Sequence, residues 1–234
     1  MDEVRILQIT FGEPVSAKEL PAFRGAVIEA AGRGNVLFHN HQQNGFRYGY
    51  PLIQYKRIGG KPSLMCINDG VEEVYEFFRN KKRKLQLNGR PYEVRIEDVH
   101  LNSFLPAQTD DWQSYSIMNW LALNQANYED YTRKSELDRL ELLQNILAGN
   151  IKAFAKGLGW WLDQPLEVEI TAPPEWSNTT FKNKRMLQFH TRFRCNVKLP
   201  NFTGLGKGVS LGYGTIKQLK GKQTVRQEKE AAHT

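Results

Sequence analysis

The segment FRYGYPLIQYKRIGGKPSLMCIN, residues 46–68, reads as two strands, Phe46 to Ile58 and Lys61 to Asn68. They join at Gly59-Gly60, a pair that tolerates the positive φ values of a tight hairpin turn. On its N-terminal side, Glu3 to Thr10 is a predicted strand with Val4, Ile6 and Ile9 among its apolar residues, and Pro14 closes the loop after it. Pro21 suits the first turn of a helix carrying Phe23, Val27 and Ala30, which Gly32 and Gly34 end. On the C-terminal side, Asp69 caps a short helix, with Glu72 three residues on and Val71, Val74 and Phe78 along one face. Tyr92 to Val99 supplies a last strand. The resulting order, β-α-β-β-α-β, is that of a ferredoxin-like unit.

A second unit follows. An extended run from Gln113 to Leu121 precedes a helix over Ser135 to Lys156, in which Leu140, Leu143, Leu147, Ile151 and Phe154 recur at three- and four-residue steps. Ser135 can cap its start, and Gly157 with Gly159 ends it. Strands are predicted at Leu166 to Thr171 and Met186 to Lys198, with Pro173 through Asn183 as a loop between them. Where a second helix would complete the pattern, the chain has GLGKGVSLGYG, residues 204–214. The predicted fold class is therefore α+β, with tandem ferredoxin-like (RRM-like) domains at residues 1–104 and 105–234. The second is degenerate and carries the C-terminal glycine-rich loop.

At 234 residues, 40% hydrophobic and 24% charged, the chain can bury a core. The first thirty residues are interspersed with Asp2, Glu3, Arg5, Glu13, Lys18, Glu19 and Arg24, unlike a secretory signal. The longest apolar run, Ile117 to Leu123 broken by Asn119, is far short of the roughly 20 residues that span a bilayer. Two cysteines, Cys66 and Cys195, are too few for a disulfide framework or a four-ligand zinc site. The expectation is a soluble, cytoplasmic protein with no membrane partner.

Charge is distributed unevenly. Of 32 basic residues, 11 lie between Trp176 and Gln227, where there is no Asp or Glu; the remaining 21 share the rest of the chain with all 25 acidic residues. Lys182, Lys184, Arg185, Arg192, Arg194 and Lys207 belong to this stretch. Such exclusion of carboxylates favours a polyanion, nucleic acid above all.

Five glycines in eleven residues, Gly204, Gly206, Gly208, Gly212 and Gly214, with Lys207 and Ser210 among them, describe a backbone able to approach phosphate closely. Nucleotide motifs do not fit. Each Gly-Lys pair is followed by Pro62, Gly208 or Gln223 instead of Ser or Thr, and no G-x-G-x-x-G starts at Gly204, Gly206 or Gly212. The strand Lys61 to Asn68 also lacks the aromatic pattern with which RRM sheets stack bases.

These features resemble a known family. Two ferredoxin-like halves, a C-terminal G-x-G-x-G-x-S-x-G-[FY]-G loop and the histidine-bearing segment FHNHQQNGFRYGYPLIQYK, residues 38–56, are similar to a CRISPR repeat-processing endoribonuclease of the repeat-associated (RAMP) superfamily. The resemblance implies binding of CRISPR repeat RNA, with other guide-complex subunits or a second copy as further partners. It implies no cofactor. It also places the general acid or base on a histidine of this segment.

His39 and His41 stand two apart in a polar, glycine-bounded stretch. No H-E-x-x-H, Cys pair or nearby carboxylate completes a metal site, so no metal is expected. A histidine titrating near pH 6.5 can exchange protons at cellular pH. That suits metal-independent cleavage, in which the ribose 2′-OH attacks the adjacent phosphate to leave 2′,3′-cyclic phosphate and 5′-OH ends. Arg47, Lys56 and Arg57 are nearby cations for the developing phosphate charge, and Tyr48 or Tyr50 is a hydrogen-bond donor. His39, His41, Tyr48 and Lys56 form the expected catalytic set, with the division of roles between the two histidines open. RNA contacts are expected from Arg47, the basic residues named above, the five glycines and Ser210. His100 is expected in a strand, His190 at the RNA and His233 in a tail. The rival readings are a noncatalytic RNA-binding subunit that keeps the glycine loop and basic surface, and a DNA-binding protein.

Overall fold

The computed structural model describes residues 3–32, 36–39, 41–42, 45–46, 49–79 and 84–219. The first half runs β1 (Val4–Phe11), α1 (Leu20–Ala31), α2 (Val36–His39), β2 (His41–Gln42), β3 (Gly45–Phe46), β4 (Ile53–Ile58), β5 (Lys61–Ile67), α3 (Asp69–Arg79), β6 (Lys84–Leu87), β7 (Arg90–Glu93) and β8 (Ile96–Phe104). Its main sheet has the antiparallel order β4-β5-β1-β8, the ferredoxin-like arrangement. Period-two alternation turns Ile9, Phe11, Ile53, Tyr55, Leu64 and Cys66 toward α1 and α3, where Phe23, Val27 and Val74 complete a buried core.

Two expectations for this half change. Only Ile53–Ile58 of the predicted strand from Phe46 joins the main sheet, because Pro51 has no N–H to give a ladder, and Phe46 pairs instead with His41. The last predicted strand is two strands. Asn88 and Gly89, at φ 51° and 82°, turn β6 into β7, whose Tyr92 returns to the α1 core, and β8 then starts at Ile96.

The second half runs β9 (Gln108–Trp120), α4 (Gln125–Arg133), α5 (Glu136–Gly157), β10 (Val168–Ile170), β11 (Glu175–Phe181), β12 (Lys184–Val197) and β13 (Thr215–Gln218), with a 3₁₀ turn at Val209–Leu211. Its sheet follows β10-β12-β9-β13, and β11 also pairs with β12. This repeats the ferredoxin-like order with the second helix replaced by the glycine-rich segment. Helix α5 starts at Ser135, whose side chain accepts the Asp138 N–H at 3.3 Å, and buries Leu143, Leu147, Ile151 and Phe154 on the sheet. Helix α4, capped by Asn124, was not among the expected elements. Most of the predicted loop Pro173 to Asn183 is strand β11. Lys182 and Asn183, at φ 49° and 59°, make the hairpin turn into β12. Among the described residues no helix is long and apolar enough to cross a membrane.

Candidate functional site

The glycine-rich segment leaves the second sheet and covers strand β4 of the first. There, a buried network joins the two halves. Gln54, fully buried, accepts the Gly204 N–H on Oε1 at 3.0 Å and donates from Nε2 to the Tyr50 hydroxyl at 2.8 Å. The Tyr50 hydroxyl donates to the Gly204 carbonyl at 2.7 Å. Lys56, 1% exposed, donates from Nζ to the Val209 carbonyl at 3.5 Å. Burial raises the Tyr50 phenol and lowers the Lys56 ammonium to about 7.

This placement revises several expected roles. Lys56 lies beneath the segment, where it cannot touch an RNA phosphate directly. Tyr50 spends its hydroxyl on Gly204, which leaves Tyr48 as the candidate donor of that pair. Gly204 and Gly214 answer first to protein packing. A Cβ on Gly204 would lie 2.9 Å from Lys56 Nζ, and one on Gly214, at φ 62°, would lie 1.9 Å from the Leu205 carbonyl oxygen. Gly206, Gly208, Ser210 and Gly212 are half-buried, and Lys207 is exposed beside them.

The tip of the β11–β12 hairpin meets this segment at Phe181. The Lys182 and Lys207 ammonium groups lie 5.8 and 6.0 Å from the centre of its ring, and Tyr213 packs edge-on at 5.4 Å. Lys184 and Arg185 follow on the exposed tip, so four basic residues from two elements share one surface. Arg192 is exposed farther along β12. Arg194 departs from its expected role. Its guanidinium lies 4.6 Å over the ring of Trp112 and donates from Nε to Glu169 at 2.8 Å, because β10 sets Glu169 directly opposite Arg194. Arg194 therefore has a carboxylate partner that lies outside the acid-free stretch of sequence. His190 accepts the Asn119 N–H on Nδ1 at 3.3 Å, and His100 in β8 pairs with Asp98 at 2.6 Å.

His39 ends α2 and His41 begins β2, in register with Phe46. The neighbouring Phe38 is buried, with its ring 5.6 Å from that of Phe77, which fixes the backbone of this short helix to the core. Arg47, Tyr48 and the His39 and His41 side chains lie outside the described residues, as does His233. Arg57 donates from Nε to the Val15 carbonyl at 2.7 Å. Gln54 was missed by sequence reasoning; the signal available was a polar residue alternating with Ile53 and Tyr55 on a strand whose other face is core.

The tandem ferredoxin-like arrangement matches the fold of Cas6 and other RAMP proteins. The family model for the Cas6b N-terminal domain matches residues 2–104, and that for the Cas6b C-terminal domain matches residues 107–219. The chain belongs to the Cas6b family. A crystal structure of Cas6b superposes with a TM-score of 0.86 at 27% identity, covering 93% of this chain and 100% of that one. The CRISPR RNA processing endoribonuclease Cas6b gives 0.73 at 26% identity, with the same coverage. An uncharacterized protein of Methanocaldococcus jannaschii is 30% identical over 136 residues, 57% of this chain and 91% of that protein.

Proposed function

We propose that this protein cuts CRISPR precursor RNA within its repeats, by a metal-independent attack of the ribose 2′-OH that leaves 2′,3′-cyclic phosphate and 5′-OH ends. The observation that carries the reading is that both halves belong to Cas6b while the segment between α1 and β4 holds two histidines on a backbone anchored by Phe38. One imidazole, His39 or His41, removes the 2′-OH proton. The other, or the same group after exchange, protonates the departing 5′-oxygen, each transfer contributing about 10²–10⁴ in rate. Arg47 supplies positive charge to the phosphate and Tyr48 a hydrogen bond. The hairpin tip and the outer face of the glycine-rich segment hold the RNA backbone.

The test is incubation of purified protein with an end-labelled repeat transcript in EDTA. Cleavage is expected, and replacement of both His39 and His41 by Ala abolishes it while leaving RNA affinity within a few fold. Cleavage that EDTA stops and magnesium restores would overturn the mechanism. Cleavage by the double variant at the parent rate would overturn the histidine assignment.

A further inference from the structure

Among the described residues, Lys56 is the charged residue whose side chain is fully buried. An ammonium has three donors, and among the described residues its hydrogen-bonding partner is the Val209 carbonyl, at a long 3.5 Å. No described carboxylate pairs with it, and burial alone lowers its proton affinity. The described groups placed against it are uncharged: Gln54 two residues before it on the same face of β4, Ser63 opposite it on β5, and the Tyr213 carbonyl, which like Nζ lies within about 3 Å of the Cβ position of Gly204. The nearest cation on the covering segment is Lys207, on its solvent side. A buried amine in such a setting either loses its proton or requires an anion nearby.

The covering layer is thin. Val209 lies against Nζ from within, while Lys207 is exposed and Gly208 and Ser210 are half-buried in the same stretch. A phosphate seated on the outer side is separated from Nζ by about one thickness of backbone. At an effective dielectric near 20, a unit negative charge roughly 7 Å away strengthens proton binding about tenfold or more.

We propose that Lys56 is a charge reserve behind the glycine-rich segment: an RNA phosphate on the outer face of residues 204–210 draws a proton onto Lys56, so that RNA binding takes up a proton near neutral pH. This rests on the reading of that segment as an RNA contact. It gives Lys56 a positioning and electrostatic role exerted through the segment, with no direct contact to substrate. It also makes the affinity of this part of the interface weaken as pH rises above neutral, without titration of any group that touches the RNA.

The experiment is calorimetry of repeat RNA binding at pH 7.5 and 8.5, in pairs of buffers with different ionisation enthalpies. It uses protein carrying His39→Ala and His41→Ala, which removes those two titrating imidazoles and, on the proposed mechanism, cleavage with them. Net uptake of a substantial fraction of a proton is expected at pH 7.5, and Lys56→Met, checked for folding by its thermal transition, should abolish that uptake. Lys56→Arg, charged at every pH used, gives a second variant that should bind RNA without uptake. Lys207→Ala tests the underlying reading separately. If it leaves affinity and salt dependence unchanged, the segment is not an RNA contact. If Lys207→Ala weakens binding but the parent takes up no proton, or Lys56→Met takes up as much as the parent, the charge-reserve proposal is overturned while the RNA contact stands.

Discussion

Gln54 and Gly204 are 150 positions apart in the chain, yet the Gln54 Oε1 accepts the Gly204 N–H at 3.0 Å inside a fully buried contact between the two halves. The Gln54 amide uses both ends, since its Nε2 also holds the Tyr50 hydroxyl that bonds the Gly204 carbonyl. Gln54→Leu would strand a buried N–H and loosen Tyr50, at a cost of about 1–3 kcal/mol. The expected result is a lowered thermal transition together with weakened RNA binding. A variant as stable as the parent would show that this contact does not hold the halves together.

Glycine substitutions should separate sharply by position. At Gly214 an added Cβ meets the Leu205 carbonyl at 1.9 Å on a left-handed backbone, so Gly214→Ala should lose about 2–4 kcal/mol. On the exposed side of α5, Gly149 has no atom within 4 Å of the same position, and Gly149→Ala should gain about 0.5–1 kcal/mol from helix propensity. Urea denaturation of the pair measures both. Equal effects would mean that the glycine-rich segment adapts freely around Gly214.

The order β-α-β-β-α-β was legible because its punctuation is local: Gly59-Gly60 turns a hairpin, Asp69 starts a helix, and α5 carries its own 3.6-residue period. The hairpin at Asn88-Gly89 had an equally local signal that the reading of Tyr92 to Val99 as one strand passed over. Strand β11 gave no such signal, since Glu175 to Thr180 is largely exposed and polar and has no buried face to impose alternation. Contacts between distant segments were out of reach. Nothing near Arg194 announces Glu169, and nothing near Gln54 or Lys56, the latter expected at the catalytic centre, announces the segment at 204–214 that folds over them.

Stability should depend on pH through Lys56. Burial lowers its ammonium from the ordinary 10.5 to about 7, so the unfolded chain binds this proton more tightly than the folded one. Between about pH 7 and 10.5 unfolding takes up the proton, and stability from this group rises with pH; below about 7 the full cost remains. Lys56→Met removes that cost. It should be more stable than the parent by about 2–4 kcal/mol at pH 7, with the difference shrinking toward pH 10. A pH-independent difference in denaturant midpoint between the two proteins would show that the amine is not desolvated as described.

RNA binding should depend on the hairpin tip more than on Arg194. Replacing Lys182, Lys184 and Arg185 together by Ala should weaken binding and reduce the slope of log affinity against log salt by about 2, at roughly 0.7 for each single-strand phosphate deprived of its cation. Arg194→Ala, which removes a guanidinium already paired with Glu169, should change that slope by less than about 0.7. Filter binding across a salt series measures both. An unchanged slope in the triple variant would move the RNA path away from this surface.

The nucleophile itself can be tested in the substrate. If the ribose 2′-OH attacks the phosphate, a repeat RNA with a single 2′-deoxy nucleotide immediately 5′ of the scissile bond has no attacking group. Its affinity should be nearly that of the all-ribose RNA, because one hydroxyl adds little to an interface dominated by phosphate contacts. The proposed chemistry therefore predicts a bound and uncut RNA. Activated water would not need that hydroxyl as nucleophile. Sequencing the ends of all-ribose products first locates the bond, and a binding assay then shows that the modified RNA occupies the protein. Cleavage of the deoxy-substituted RNA at the same bond and a comparable rate would rule out internal attack, whereas an all-ribose repeat that is bound but never cut between pH 6 and 9 would make this chain an RNA-binding relative without the chemistry.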